Sequence, residues 1–200
     1  MSQNKKWLQE GEQTRITPEI RKLAKKLKGS NDLETVFNIL KWIKKNLKFV
    51  KSWKWRKKYL RTRTVQEIIK SSKSSGCGDK ALVFATLVKA NGIPAKIVET
   101  IDKDWLLAKI PRFISGHTFV DVYLNKKWQV VDPAIGNIGI GYHWPLGKKF
   151  VIYKKGLDFW EIGIRNYSDM EKKFNIFKKK WRNSNRFRGE NYEKRRYFSD

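Results

Sequence analysis

The longest predominantly apolar stretch of the chain, residues 81–88, constrains its fold more than any other feature. Residues 78–90 follow a helical pattern in which Ala81, Leu82, Phe84, Ala85, Leu87 and Val88 leave no polar face. A helix that is apolar nearly all round must be buried. Other elements therefore have to be wrapped about it, and Asn91-Gly92 ends it before Pro94. The stretch is far shorter than the roughly 20 residues of a membrane-spanning helix.

The elements available to do the wrapping are readable in outline. Thr17 caps a first helix with Pro18 in its first turn, and Ile20, Leu23, Ala24 and Leu27 form its stripe before Gly29. Ser30 or Asn31 caps a second, carrying Leu33, Val36, Phe37, Leu40, Ile43 and Leu47. Residues 64–71 suit a short helix. Residues 95–100 suit a strand, 102–115 are irregular, and 117–124 alternate with period two. Asn125-Lys126 turns the chain into a return strand over 127–132. Four glycines after Pro133 suggest loop, and residues 150–153 one more strand. This mixture of helices with a small antiparallel sheet is an α+β pattern.

Charge divides the chain differently. It holds 45 Lys+Arg against 19 Asp+Glu, a net +26 in 200 residues. Residues 1–70 contribute 20 and 6, residues 71–170 contribute 14 and 9, and residues 171–200 contribute 11 and 4. The expected organisation is a basic N-terminal arm (1–16), a globular domain (17–170) and a basic, aromatic tail (171–200). Within 48–63, eight of sixteen residues are basic and Phe49, Trp53, Trp55 and Tyr59 interleave with them. Lys54, Arg56, Lys57 and Lys58 are candidates for binding nucleic acid or another polyanion, cations meeting phosphates while rings stack on bases. An inward-packed aromatic face with solvated lysines is the other reading.

One cysteine excludes an internal disulfide framework and multi-cysteine zinc sites. No close ligand spacing and no G-x-x-x-x-G-K-[ST] loop is present, so no metal and no cofactor is expected. The opening MSQNKKWLQEGEQ lacks the apolar run of a secretory signal. The protein is expected to be soluble and cytoplasmic.

The lone cysteine sits in Ser74-Ser75-Gly76-Cys77-Gly78-Asp79, immediately before the buried helix. Unsatisfied N–H groups and the positive end of the macrodipole favour thiolate there. A small, buried, inert cysteine is the alternative on this segment alone. Asp79 reads as a first-turn acid, and His143 as a loop or packing residue. The hairpin adds chemistry. With Asn125-Lys126 as the turn, Leu124 pairs with Lys127 and Phe119 lies opposite Asp132. His117 is then the diagonal neighbour of Asp132, about 7–8 Å away at the backbone and within side-chain reach. A carboxylate so placed fixes an imidazole's tautomer, and the imidazole can in turn hold a thiolate.

Four blocks occur in order: Gly76-Cys77-Gly78-Asp79-Lys80-Ala81, Ala90-Asn91-Gly92-Ile93-Pro94-Ala95-Lys96, Gly116-His117-Thr118-Phe119-Val120-Asp121-Val122-Tyr123 and Trp128-Gln129-Val130-Val131-Asp132-Pro133. Over roughly residues 30–135 the chain resembles the transglutaminase-like superfamily. The resemblance implies a papain-like core, with N-terminal helices and a buried, nucleophile-bearing helix packed on a small antiparallel sheet. It implies Cys77 as nucleophile, His117 as general base and acid, and Asp132 as its orienting partner. It further implies attack on amide bonds of proteins or peptides through a thioester, as in cysteine peptidases, amidases and transglutaminases. Hydrolysis is the expected outcome, the chain having no room for the accessory domains of the large animal cross-linking enzymes. The Cys77 N–H is an expected oxyanion donor. Trp53 and Trp55 are candidates for the family's upstream side-chain donor, with core packing the other reading, and Gly116 is a candidate substrate contact. The rival function is a polyanion-binding protein that uses the same fold as a platform.

Overall fold

The structure, a computed structural model, describes residues 4–109, 113–139 and 148–185. His143 and residues 186–200 lie outside them. The buried helix is α5 (Cys77–Ala90), and from Ala81 to Val88 every residue is buried. Against it pack α1 (Pro18–Leu27), α2 (Asp32–Asn46) and α4 (Val65–Ser71) on one side and the sheet on the other. The caps form as the sequence dictates. Thr17 accepts from Ile20 N, Asn31 from Glu34 N, and Thr64 with Glu67 makes a complete capping box. Leu33 and Phe37 depart from the expected stripe of α2 and stand exposed.

A two-stranded parallel pair, β1 (Lys48–Phe49) with β2 (Lys73–Ser74), brings the basic segment beside the cysteine loop. Between them lies α3 (Trp53–Tyr59), a helix capped by Ser52. The main sheet has the order β6-β5-β4-β3-β7 and is antiparallel throughout: β3 (Ala95–Asp102), β4 (Gly116–Leu124), β5 (Lys127–Asp132), β6 (Asn137–Gly139) and β7 (Phe150–Gly156). β6 corrects the loop expected after Pro133. α6 (Lys103–Leu107), capped by the Asp102 carboxylate, corrects the irregular segment expected after β3. Leu124 pairs with Lys127 and Val120 with Val131, the register the alternation implied. Asn125 and Lys126 both adopt positive φ (50° and 61°), as a two-residue turn matched to strand twist requires. Ala95, Ile97, Val120, Val122 and Leu124 face α5, while Val98, Phe119 and Val130 form a second cluster with Phe150 and Ile152.

The expected arm and tail are drawn differently by the structure as far as it extends. In the arm, Trp7 meets Trp128 edge-on and Gln13 and Thr14 are fully buried. The Gln13 N–H donates to Asp158, and its side-chain amide donates to the carbonyls of Arg61 and Arg63 (3.2 and 2.8 Å). The boundary at 170/171 falls inside α7 (Tyr167–Asn185), where Met170 and Phe174 are buried and Phe177 and Trp181 partly so. Lys178 and Arg182 tie this helix to the carbonyl groups of α6. Its period-3.6 apolar stripe is interleaved with lysines, which hid it in the sequence. Among the described residues no helix is long and apolar enough to cross a membrane.

Gln13→Ala is expected to lower unfolding free energy by about 1–3 kcal/mol, because it strips donors from buried carbonyls. Urea denaturation measures this. A change within error would mean that residues 4–16 are only appended to the domain.

Candidate active site

Cys77 opens α5, and Gly76 before it supplies no side-chain cap, so the first-turn N–H groups remain open beside the thiol. The cysteine loop is held from below. Asp79, in the first turn as expected, is also buried, and it accepts from Ser75 N (2.6 Å), Ser75 Oγ (2.8 Å) and Arg63 Nη2 (2.5 Å). Its role thus extends beyond the helix dipole: it clamps the chain two residues before Cys77.

The hairpin delivers His117 and Asp132. His117 Nε2 lies 2.8 Å from Asp132 Oδ2, while Asp132 Oδ1 accepts from Ala134 N (2.9 Å). That arrangement leaves Nδ1 of His117 unused by Asp132, and the ring and the Cys77 thiol act on each other's protonation. Phe119 and Phe150 flank the imidazole, with ring centroids 4.7 and 5.8 Å away.

A second charged group, not foreseen from the sequence, sits under the cysteine. Arg61 Nη2 donates to Glu99 Oε1 (2.7 Å) and Thr118 Oγ1 (3.0 Å), and Thr118 donates to Glu99 Oε2 (2.6 Å). Glu99 and Thr118 are a cross-strand pair of β3 and β4. Thr118 Oγ1 is 3.8 Å from Cys77 Sγ. The guanidinium stacks on Phe159 at 3.5 Å and occupies the space a side chain at Gly78 would need, a Cβ there falling 1.2 Å from Nη1. Arg61 has φ 66°, an uncommon conformation for a non-glycine residue. Its carbonyl is gripped by Trp160 Nε1 (2.7 Å) as well as Gln13. One signal was available: a carboxylate within the apolar strand 95–102 requires a buried cation. Nothing in the run of cations from 48 to 63 marks which one.

These neighbours set the protonation states. Burial alone would raise the Cys77 thiol, but the hydrogen bond and charge of His117, helped by Arg61, outweigh both burial and Glu99 and bring it below its ordinary value. Burial alone would lower His117, but its bonds to Asp132 and Cys77 and their negative charge push it up to about 10. Both shifts run in the direction of thiolate and imidazolium.

Cys77 opens into a cleft of about 140 Å³, walled by Trp53, Leu60, Ile114, Tyr167, Met170 and Phe174, with Arg56, Arg61, Glu99 and Gly116 also on its lining. Of the residues singled out from sequence, Trp53 and Gly116 stand on this cleft. Trp55 does not: two residues along a helix is a turn of about 200°, and its ring packs on Tyr59 and beneath Arg63. Lys54, Lys57 and Lys58 are exposed on α3. Arg56 differs from them, being half-buried with its Nε donating to Ser75 O (2.9 Å). Among the described residues no cluster of three or more potential ligands is placed to hold a metal.

The architecture and this constellation identify an α+β protein with a papain-like core. A family model of the transglutaminase-like superfamily matches residues 21–133, more than half of the chain, and the protein belongs to that superfamily. Among solved structures it is similar to a Cytophaga hutchinsonii protein provisionally described as a cysteine protease, with 18% identity and a TM-score of 0.58. That match covers 79% of this chain and 48% of the other, so the chain spans about half its length. A Parabacteroides distasonis protein provisionally described as a protease matches with 15% identity over 63% of this chain and 28% of its own, with a TM-score of 0.41. No curated protein matches the chain.

The raised His117 value carries a pH signature. It lies above the ordinary 6.5, so its contribution to stability is fully present below that value and is lost as pH rises through about 10. The lowered Cys77 value acts oppositely, contributing above the unfolded thiol value and losing that contribution as pH falls through the folded one. NMR titration of the His117 ring should show the proton retained past pH 8, with Asp132→Asn and Cys77→Ala each moving the midpoint down. A wild-type midpoint near the ordinary value removes the ion pair.

Proposed function

We propose that this protein is a cysteine hydrolase or acyltransferase acting on amide bonds of proteins or peptides. The observation that carries this reading is the series of the Cys77 thiol, which opens into the cleft, the His117 imidazole, whose hydrogen bond and charge act on that thiol, and the Asp132 carboxylate, 2.8 Å from His117 Nε2. Superfamily membership and the fold shared with the Cytophaga protein support it.

In this reading Cys77 thiolate attacks the carbonyl carbon, and the carbonyl electrons move to oxygen. The Cys77 N–H at the start of α5 faces the developing oxyanion, with the Trp53 indole as the proposed side-chain donor and Gly116 admitting substrate backbone. The C–N bond then breaks, and His117 gives its proton to the departing amine, leaving a thioester on Cys77. Neutral His117 takes a proton from water, which attacks the thioester and releases the acid. A primary amine in place of water gives transamidation. Asp132 holds the ring and offsets the charge of the imidazolium.

Cys77→Ala is expected to abolish turnover of a fluorogenic peptide amide while leaving the thermal melting temperature nearly unchanged. Asp132→Asn should retain more activity than Cys77→Ala, since thiol and imidazole remain. Mass spectrometry of the wild type quenched during turnover should find the acyl group on Cys77. Iodoacetamide labelling across pH should show an acid limb below the free-thiol value of about 8.5, shifted upward in His117→Ala. Turnover persisting in Cys77→Ala refutes the assignment.

The exposed Lys54, Lys57 and Lys58 of α3 support a second reading, that the surface docks a nucleic acid or other polyanion. Anisotropy titrations with a duplex oligonucleotide should then give affinity falling by a log–log slope of about 0.9 per phosphate contact. That slope should flatten when these three residues and Arg56 are replaced by alanine. Absence of binding at low salt ends this reading.

A further inference from the structure

The charged side chains on the cleft are unequally compensated. Three line it besides the nucleophile: Arg56, Arg61 and Glu99. Arg61 and Glu99 neutralise each other at 2.7 Å. Arg56 has no carboxylate within ion-pair distance among the described residues. The arginine whose charge bears on the Cys77 thiolate is Arg61. The charge of Arg56 is therefore left over at the cleft.

Its guanidinium is nonetheless fixed in place. Nε donates to the carbonyl of Ser75, two residues before Cys77, and the guanidinium carbon lies 4.6 Å from the Phe49 ring centre and 5.5 Å from that of Trp53. Trp53 and Arg56 are three apart on α3 and so share a face. With Nε spent on the backbone, the Nη donors make no hydrogen bond among the described residues. A planar fork held in this way is preorganised for a carboxylate. The surroundings have the same sign: α3 contains no acidic residue, Lys54 and Lys58 are exposed, and Lys57 lies over the ring of Tyr167 on the cleft wall.

The cavity gives the other half of the specificity. Its walls include Leu60, Ile114, Met170 and Phe174, and its volume is about 140 Å³. A volume of about 150 Å³ accommodates benzene, so this cleft has room for about one side chain. A polypeptide reaching Cys77 therefore meets an apolar recess and an uncompensated guanidinium together.

We propose that Arg56 is a specificity residue that binds a carboxylate on the segment presented to Cys77, so that the preferred substrate is an acidic peptide with one apolar side chain beside the attacked amide. The proposal rests on the thiol-enzyme reading above.

The test uses two alkylating reagents that perform the same displacement, sulfur–carbon bond formation with loss of iodide, but differ in charge. Cys77 is the only cysteine, so intact mass reports its labelling by anionic iodoacetate and neutral iodoacetamide. The ratio of the two rates cancels changes in thiol reactivity common to both, and His117 is present in every variant. In low salt the wild-type ratio should exceed that of glutathione. Arg56→Gln should reduce it by roughly fivefold, the size of one charge contact in water, and Arg56→Lys, which keeps the charge but not the fork, should fall between the two. An equal ratio in wild type and Arg56→Gln overturns the proposal.

A second measurement needs only the wild type. A peptide of alternating Glu and Leu should protect Cys77 from iodoacetamide at lower concentration than its Gln and Leu counterpart. Equal protection by both, or protection by a single-stranded oligonucleotide and by neither peptide, overturns the proposal. The thiol-enzyme reading fails separately, through an iodoacetamide profile whose acid limb is not lowered.

Discussion

The ion pair between Arg61 and Glu99 is the interaction on which the geometry of the site depends. It joins the segment after α3 to the middle of the sheet, directly under the first turn of α5. Burying two charges carries a desolvation cost of several kcal/mol each, recovered only where the geometry and extra hydrogen bonds are good. Here Thr118 bridges the pair, Phe159 offers its ring face to the guanidinium, and Gly78 leaves room by having no side chain. Removing either partner strands a buried charge, a loss of about 3–5 kcal/mol. Because Thr118 also touches the sulfur, the pair sets the depth at which Cys77 meets the sheet.

Two charge systems thus bracket one sulfur atom. On one side Asp132 holds His117, whose positive charge favours thiolate. On the other, Arg61 favours thiolate and Glu99 opposes it. Glu99 thereby limits how far the charge of Arg61 lowers the thiol. The carboxylate–imidazole pair is drawn from one hairpin and the arginine–glutamate pair from elements far apart in the chain.

The family match ends at residue 133, and the division is informative. Cys77, His117 and Asp132 lie within it, as do Arg61 and Glu99. Three walls of the cleft, Tyr167, Met170 and Phe174, lie beyond it on or at the start of α7, as does Phe159 under Arg61. Gln13 and Trp160, which hold the strained Arg61 backbone, also come from outside the matched range. The matched core carries the thiol, imidazole and carboxylate, and the segments around it supply part of the cleft wall.

The sequence by itself determined what depends on short range. The all-apolar helix after Cys77, its glycine-flanked start and the caps Thr17, Asn31 and Thr64 follow from local periodicity and hydrogen bonding. The register that places His117 near Asp132 is also local, because a two-residue turn and period-two alternation leave little freedom. Tertiary structure decided everything that required knowing which charge loses its water. Arg56, Arg61 and Arg63 occupy one basic run and look alike in sequence. In the folded chain one lines the cleft, one pairs with Glu99 and one with Asp79. Burial turns each from a solvated charge into a group that must find a partner, and the partners are 38 and 16 residues away for the two that found one. The cleft wall on α7 was hidden for a related reason: its apolar stripe is outnumbered by lysines, and only packing against α6 and the sheet shows which face is turned inward.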